Sequence, residues 1–272
     1  MSVPALPDVP ELVAEHIRSA ITRRPHERYG PFLAAFDDHS AHPGRNYAVP
    51  DTGAAPAPND VAGLVTAFQR RGRIPRLEYV PADAPKVESA LISAGFTVEG
   101  RPPILVSVPG SLAPASPSPF PFPFPTSPSS LSPTGIDFTF ATTEEDLLAA
   151  ATVQHQAYEE PEPAGPHDVA RLRSTVARGG LIILARDAVT GDAVGSGLVD
   201  GPLDGIGELA AVAVAEPYRR RGIAGAMSVR LAIQAHEQGM RLVWLEAAPA
   251  EESIYLRAGF SASGRKLWIS RP

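Results

Sequence analysis

A glycine turn flanked by arginines is the part of this chain whose residue types and spacing are best suited to chemistry. Residues 219–224 read arginine-arginine-arginine-glycine-isoleucine-alanine, between an apolar strand pattern at 209–214 and an apolar-periodic helix pattern. A glycine turn at a helix start leaves backbone N–H groups unpaired, and the helix dipole adds partial positive charge there. Arginine side chains add forked donors that match phosphate oxygens. The segment therefore predicts a site for the phosphates of a polyphosphorylated carrier.

Composition limits the other possible functions. The chain has 272 residues, enough for two modest domains, and a formal net charge of −6, which makes nucleic acid an unsuitable main ligand. It has no cysteine, which excludes disulfides, thiolate metal sites and cysteine nucleophiles. Residues 1–10 carry no secretory pattern, and no apolar run is long enough to span a membrane. We therefore expect a soluble cytoplasmic protein without a membrane partner.

A proline-rich segment divides the chain. Residues 109–133 contain nine of the 30 prolines and an alternating phenylalanine-proline run at 120–125. Proline fixes the backbone and removes hydrogen-bond donors, so this segment is interpreted as a linker. Docking of the phenylalanine-proline run on a partner's aromatic groove is the alternative. The predicted domains are therefore 1–108 and 134–272.

The second half shows a regular order of elements. Apolar periodicity and turn signals predict helices at 143–158, 168–178, 222–238 and 251–257, and strands at 136–141, 181–187, 193–203, 209–214, 242–247 and 266–270. The strands up to 214 should form an antiparallel meander, and the next helix should lead to a parallel crossover. The last strand, 266–270, is expected to close this sheet. The fold class is α/β (α+β), with a mixed, mostly antiparallel sheet flanked by helices.

The first half contains a weaker echo of this pattern. Helices are predicted at 12–24, 59–71 and 86–93, with a strand at 76–80, and Ser93-Ala94-Gly95-Phe96 parallels Arg257-Ala258-Gly259-Phe260. The echo indicates a degenerate, truncated copy of the same fold, without an evident four-strand meander. No arginine-glycine turn precedes its helix at Asn59, and Leu91 stands where the second copy has Tyr255. We therefore expect the first copy to have lost the ligand.

Several motifs in order resemble the GNAT superfamily of acetyl-coenzyme A-dependent N-acetyltransferases. These are Val212-Ala213-Val214, Tyr218, the turn 219–224 and the segment 254–260. The resemblance covers about half of the chain, and it implies that the turn binds the pyrophosphate of coenzyme A while a bulged strand before it pairs with the pantetheine amides. It implies no metal. The residues it assigns to the cofactor are Val212, Ala213, Val214, Arg219, Arg220, Arg221, Gly222, Ile223, Ala224 and Gly225.

The resemblance also implies an acid and a base. A free alkylamine has a pKa near ~10 and must lose a proton before it attacks a thioester. Glu208, four residues before Val212, stands where many family members carry the base, and Tyr255 stands at the usual acid position. The alternatives are a solvated glutamate at a strand edge and an aromatic side chain buried on a short helix. Residues 247–250 depart from the family because they lack the asparagine that often holds the cofactor.

Two further clusters were weighed. Asp37, Asp38, His39 and His42 have metal-capable side chains, but the adjoining Pro43-Gly44 favours a solvated loop. The acidic stretch 158–162 lies where family members shape the acceptor pocket; it could favour a cationic amine, although an exposed loop is the preferred interpretation.

The leading hypothesis is an N-acetyltransferase that acts on a small-molecule amine. A non-catalytic coenzyme A-binding regulatory module and an acetyltransferase for a protein or peptide amine stay open as alternatives. The sequence assigns neither the acceptor, the acyl chain length nor the oligomeric state.

Overall fold

The computed structural model describes residues 9–112 and 133–272, which form two compact units. Among these, the first unit comprises residues 9–104, 246–249 and 263–272, and the second comprises 105–112, 133–245 and 250–262. The chain enters each unit more than once, so the units do not coincide with the continuous domains that the sequence predicts. Most of the predicted linker, 109–133, lies outside the described residues.

The described residues form seven α-helices and thirteen β-strands. The helices are α1 Val9–Thr22, α2 Pro58–Arg70, α3 Val87–Ser93, α4 Glu144–Ala157, α5 Pro166–Ala177, α6 Ile223–Glu237 and α7 Glu252–Arg257. The strands are β1 His26–Tyr29, β2 Phe32–Ala35, β3 Tyr47–Pro50, β4 Arg76–Tyr79, β5 Thr97–Gly100, β6 Pro103–Ser107, β7 Ile136–Phe140, β8 Leu181–Asp187, β9 Ala193–Val199, β10 Ile206–Val214, β11 Leu242–Glu246, β12 Ser261–Arg265 and β13 Leu267–Ser270. Among these helices none is both long and apolar enough to cross a bilayer.

The first unit is built on a six-stranded sheet with the order β1-β2-β3-β4-β13-β5. Strands β1, β2 and β3 run antiparallel in sequence, and β3 pairs in parallel with β4 after the crossover through α2. The core combines α2 and α3 with the sheet, and Leu64, Phe68 and Leu91 are fully buried in it. The sequence pattern missed β1, β2 and β3, because each has only four residues and β1 is polar and mostly exposed.

The prediction that the last strand closes the sheet of the second half is wrong. Strand β13 pairs antiparallel with β4 and β5 in the first unit, with Ile269 opposite both Leu77 and Val98. Leu267 and Ile269 are fully buried in the core of the first unit, and this burial fixes the strand there. In the other sheet the place between β11 and β12 is taken by β6, from the first half of the sequence.

The second sheet has seven strands in the order β12-β6-β11-β10-β9-β8-β7. Strands β7 to β10 form the predicted antiparallel meander, and β10 pairs in parallel with β11 after the crossover through α6. Helices α4 and α5 cover the face that carries Leu198, whereas α6 approaches Gly195 on the opposite face so closely that Met227 lies 3.2 Å from where a Cβ would be. The predicted fold class, a mixed and mostly antiparallel sheet flanked by helices, is confirmed.

The start of α4 illustrates how local sequence sets an element boundary. Thr143 caps the helix by accepting a hydrogen bond from the Asp146 N–H at 3.1 Å, and the Asp146 carboxylate accepts the Thr143 N–H at 3.3 Å. This reciprocal capping box satisfies backbone donors that a helix start otherwise leaves unpaired.

Candidate active site

Strand β10 contains a bulge just before the arginine-glycine turn. Ala210 is opposite Leu198 on β9, but Ala213 is opposite Ser196, so β10 holds one extra residue at this point. Ala211 has a φ of 53°, in the left-handed region that a residue with a Cβ rarely adopts. Strain of this kind persists where the surrounding structure enforces it, often at functional sites. The bulge that the family resemblance implied is therefore present.

The other edge of β10 separates from its parallel neighbour at the same level. The parallel register with β11 runs from Ile206 to Glu208, which lies opposite Trp244, and ends there, while β10 continues to Val214. Backbone groups of β10 beyond Glu208 can consequently serve an extended ligand as a neighbouring strand would. Val212 directs its side chain towards Gly197, with 3.4 Å between its Cγ2 and the Cβ position of that glycine.

The turn that follows leaves the start of α6 without a side-chain cap. Gly222 occupies the cap position with a φ of 78°, and nothing lies within 4 Å of the position where a Cβ would be. The first intrahelical bond runs from the Ala226 N–H to the Gly222 carbonyl at 3.0 Å, so the N–H groups of residues 223–225 precede the helical ladder. This open, positively polarised helix end is suited to an anionic group such as a diphosphate.

The three arginines of the turn differ in their contacts. Arg219 donates from Nε to the Val214 carbonyl at 3.1 Å, and Arg221 donates from Nη2 to the Thr134 carbonyl at 3.0 Å. Arg220 is exposed and has a φ of 62°. Arg219 and Arg221 are thus tied to the protein backbone while adding positive charge, and Arg220 extends from the turn itself.

Tyr255 lies on α7, next to the start of α6. Its neighbour Ile254 is 3.6 Å from the Cβ position of Gly225, and its own ring packs edge-on against Phe260 with 6.1 Å between ring centroids. Burial raises the pKa of the Tyr255 phenol above its usual range, and the charges of Glu251 and Tyr158 add to the shift. The phenol therefore stays protonated at neutral pH and has a proton to donate. The difference between the pKa of Tyr255 and that of a thiol is therefore larger than it is for an ordinary tyrosine.

Glu208 is half-buried at the point where β10 and β11 separate. Side chains alternate along a strand, so Glu208 shares a face with Ala210, which packs against the cluster formed by α4 and α5. The structure therefore places Glu208 at the level of the strand opening, on the face covered by α4 and α5.

Sequence reasoning did not assign a role to Glu251 or Tyr158. Glu251 directly precedes α7 and Tyr158 directly follows α4, and both lie within electrostatic reach of the Tyr255 phenol. The signal that could have indicated Glu251 is its i, i+4 spacing to Tyr255, which places both side chains on one face of the helix.

The loop with Asp37, His39 and His42 is organised by its own hydrogen bonds. The Asp37 carboxylate accepts the His39 N–H at 2.8 Å, and the His42 Nδ1 accepts the Gly44 N–H at 3.1 Å. Within residues 9–112 and 133–272, no group of three histidine, cysteine or acidic side chains is arranged to hold a metal ion.

The family model that describes the acetyltransferase (GNAT) domain matches residues 178–262. This range includes the bulge, the turn, α6 and α7. A comparison with curated proteins gives no match.

Solved structures share the fold over most of the chain. A GCN5-related N-acetyltransferase from Kribbella flavida has 22% identity and a TM-score of 0.73, over 98% of this chain and 97% of that one. One from Sphaerobacter thermophilus has 21% identity and a TM-score of 0.54, over 73% of this chain and 61% of that one. A tandem GNAT protein from the clavulanic acid biosynthesis pathway has 14% identity and a TM-score of 0.53, over 88% and 81%. At these identities the likeness concerns the fold.

Proposed function

We propose that this chain, an acyltransferase with a GNAT domain at residues 178–262, transfers an acetyl group from acetyl-coenzyme A to a primary amine of a small molecule. The observation that carries the proposal is the uncapped start of α6, with Gly222 in a left-handed conformation directly after a bulged strand. The helix end supports diphosphate binding, and the bulged strand supports pairing with an extended amide chain. Coenzyme A contains both groups.

The residues proposed to hold the cofactor follow one another along the chain. Residues 212–214 supply backbone groups of β10, residues 219–221 supply positive charge, and residues 222–225 supply the N–H groups at the start of α6. Acetyl-coenzyme A, when bound there, would present its acetyl group as a thioester activated towards amines.

Glu208 is the proposed base. An alkylamine with a pKa near ~10 is almost wholly protonated at neutral pH, so catalysis requires a group that accepts its proton. Glu208 stands where β10 leaves β11, and its carboxylate can receive the proton directly or through one water molecule.

Tyr255 is the proposed donor to the departing sulfur. Because its pKa is raised, complete proton transfer to a free thiolate is less favourable than the ordinary pKa values of phenol and thiol, about 10 and about 8.5, would suggest. A hydrogen bond from the phenol stabilises the developing negative charge on sulfur from the beginning of bond breaking. The transfer forms one carbon–nitrogen bond and breaks one carbon–sulfur bond. The protonated amine loses two protons in all: one passes to Glu208, and the second replaces the proton that Tyr255 gives to sulfur.

Thiol release from acetyl-coenzyme A over a panel of small amines tests this function. We expect amine-dependent release by the wild type and a strong reduction in Tyr255→Phe. Binding without thiol release for any amine would instead favour the regulatory module, and release only with peptide amines would move the acceptor to a protein. Unchanged turnover in Tyr255→Phe would remove Tyr255 from the mechanism.

A further inference from the structure

Tyr218 makes a specific contact immediately before the arginine-glycine turn. It is the last residue of a short 3-10 helix, Glu216–Tyr218, and its hydroxyl donates to Asp187 Oδ2 at 2.9 Å. Asp187 is the last residue of β8. The hydrogen bond therefore ties the start of the turn to the end of a strand two positions away in the sheet.

The acceptor of this hydrogen bond is itself fixed. Asp187 Oδ1 accepts the N–H groups of Val189 at 2.9 Å and Thr190 at 3.1 Å, in the tight turn between β8 and β9. These two bonds and the Tyr218 hydroxyl lower the pKa of Asp187, so the carboxylate stays ionised at neutral pH. An ionised carboxylate that is held by two backbone groups offers the Tyr218 hydroxyl a strong acceptor in a defined place.

The ring of Tyr218 is also engaged by the turn it precedes. The Arg221 guanidinium lies 5.1 Å from the ring centroid, and the same side chain donates to the Thr134 carbonyl. In the same turn the backbone is left-handed at two residues, Arg220 and Gly222. A residue with a Cβ is strained in that region, so the conformation at Arg220 needs support from its surroundings.

We propose that Tyr218 is a positioning residue for the cofactor. Its hydrogen bond to Asp187 holds residues 219–222 in the open conformation, with the N–H groups at the start of α6 arranged before the diphosphate arrives. A turn that is already ordered loses less entropy on binding, which strengthens affinity without a direct contact. The inference rests on the proposed function, because it names the support of the same diphosphate site.

Calorimetric titration with coenzyme A tests the effect on affinity. Tyr218→Phe removes the hydroxyl and keeps the ring under Arg221, and we expect its dissociation constant to be about five to ten times that of the wild type. At saturating acetyl-coenzyme A its kcat should equal that of the wild type, since the hydroxyl acts on binding alone. Tyr29→Phe is the matched control: Tyr29 also donates to a carboxylate, that of Glu27, but in the first unit, and this variant should bind like the wild type.

Asp187 offers a conservative variant. Asp187→Asn keeps an oxygen for the N–H groups of Val189 and Thr190 and an amide that can bond the Tyr218 oxygen, so its affinity should not fall. Asp187→Ala loses all three bonds and should weaken binding at least as much as Tyr218→Phe. Equal losses in the asparagine and alanine variants would overturn the positioning role.

Amide hydrogen exchange in the ligand-free protein separates this proposal from the proposed function. We expect faster exchange at residues 219–222 in Tyr218→Phe than in the wild type, with no change at residues 59–61 of α2. A wild type that gives no heat with coenzyme A would refute the function, while the exchange result would still decide whether Tyr218 orders the turn. A wild type that binds, together with a Tyr218→Phe variant of equal affinity, would overturn the positioning role alone.

Discussion

The two parallel crossovers of this molecule share a topology but differ at the start of the helix. In the first unit α2 begins at Pro58, and the Asp60 carboxylate accepts the Ala57 N–H at 2.8 Å. In the second unit α6 begins after Gly222, without a side-chain cap. The first helix start therefore holds a carboxylate of its own where the second is open to an anion. Packing preserves the crossover in both units, whereas ligand binding depends on a few residues at one helix end.

The two units also differ in the strands before these helices: the register is continuous in the first unit and interrupted by a bulge in the second. The β2–β3 register is continuous from Phe32 opposite Pro50 to Ala35 opposite Tyr47, whereas β10 bulges against β9 at Ala211. On the short helix after each crossover, fully buried Leu91 corresponds to Tyr255. The first unit thus keeps the apolar residues of the fold and lacks the residues proposed to bind the cofactor and to donate a proton.

Gly225→Asp should have the largest effect, because it gives α6 the acidic third residue that α2 has in Asp60. A Cβ at Gly225 meets Ile254 at an ordinary 3.6 Å, so the side chain can be accommodated. The new carboxylate would compete with the diphosphate for the helix end, and we expect acetyl-coenzyme A affinity to fall on the order of a hundredfold.

Gly225→Asn, of the same size without the charge, is the matched control for that titration. If charge dominates, the loss of acetyl-coenzyme A affinity in Gly225→Asn should be at least about tenfold smaller than in Gly225→Asp. This corresponds to a difference of about 1.4 kcal/mol in binding free energy between the two variants. Equal losses in the two variants would attribute the effect to steric exclusion and weaken the comparison of the two helix starts.

Tyr255→Phe should lower kcat by roughly a hundredfold and leave acetyl-coenzyme A affinity unchanged, because the hydroxyl acts on the departing sulfur. Steady-state kinetics with an active amine measures both quantities. Tyr79→Phe is the control: Tyr79 is a buried tyrosine of the first unit whose pKa burial also raises, and its hydroxyl has no hydrogen-bond partner in the described residues. A loss of turnover in both variants would point to a general effect on folding.

Glu208→Gln should lower kcat/KM at pH 7 by roughly ten- to a hundredfold, since the amine then loses its proton only to solvent. The deficit should shrink as the pH rises towards the amine pKa near ~10, where the neutral amine is abundant. The raised pKa of Tyr255 means that the phenol keeps its proton above the ordinary tyrosine value, so no alkaline loss is expected below pH ~10. A deficit that stays constant with pH would contradict the base assignment.

Asp60→Ala should have the smallest effect on function. Loss of the carboxylate at the start of α2 should reduce the free energy of unfolding by about 1 kcal/mol, measured by urea denaturation. Acetyl-coenzyme A should still bind with one molecule per chain, because Pro58 lacks an N–H and no arginine-glycine turn leads directly into α2. A second binding event in calorimetry would show that the capping carboxylate alone separates the two crossovers.

The sequence predicts the elements with long apolar periodicity and the turn between two of them. Helices α2, α4 and α6 lie within two residues of their predicted ends, because each combines a buried face with a local start or stop signal. The turn at Gly222 is also predictable, because its proposed function depends on backbone groups of residues that are consecutive in the sequence.

Contacts between residues that are far apart in the sequence cannot be predicted from the sequence pattern. The alternation of β13 shows a strand, but its partners β4 and β5 are fixed by burial of Leu267 and Ile269 in a core formed far away in sequence. The bond between Tyr218 and Asp187 joins residues 31 positions apart. The left-handed conformation of Ala211 has no signal at all, because alanine normally avoids it.

Residue-resolved NMR of backbone amides, with and without acetyl-coenzyme A, tests the central claim most directly. The account predicts the largest ligand-induced shifts at residues 222–225, at the start of α6, and none at residues 59–61 of α2. Shifts concentrated away from the start of α6, or equal shifts at the two helix starts, would contradict it.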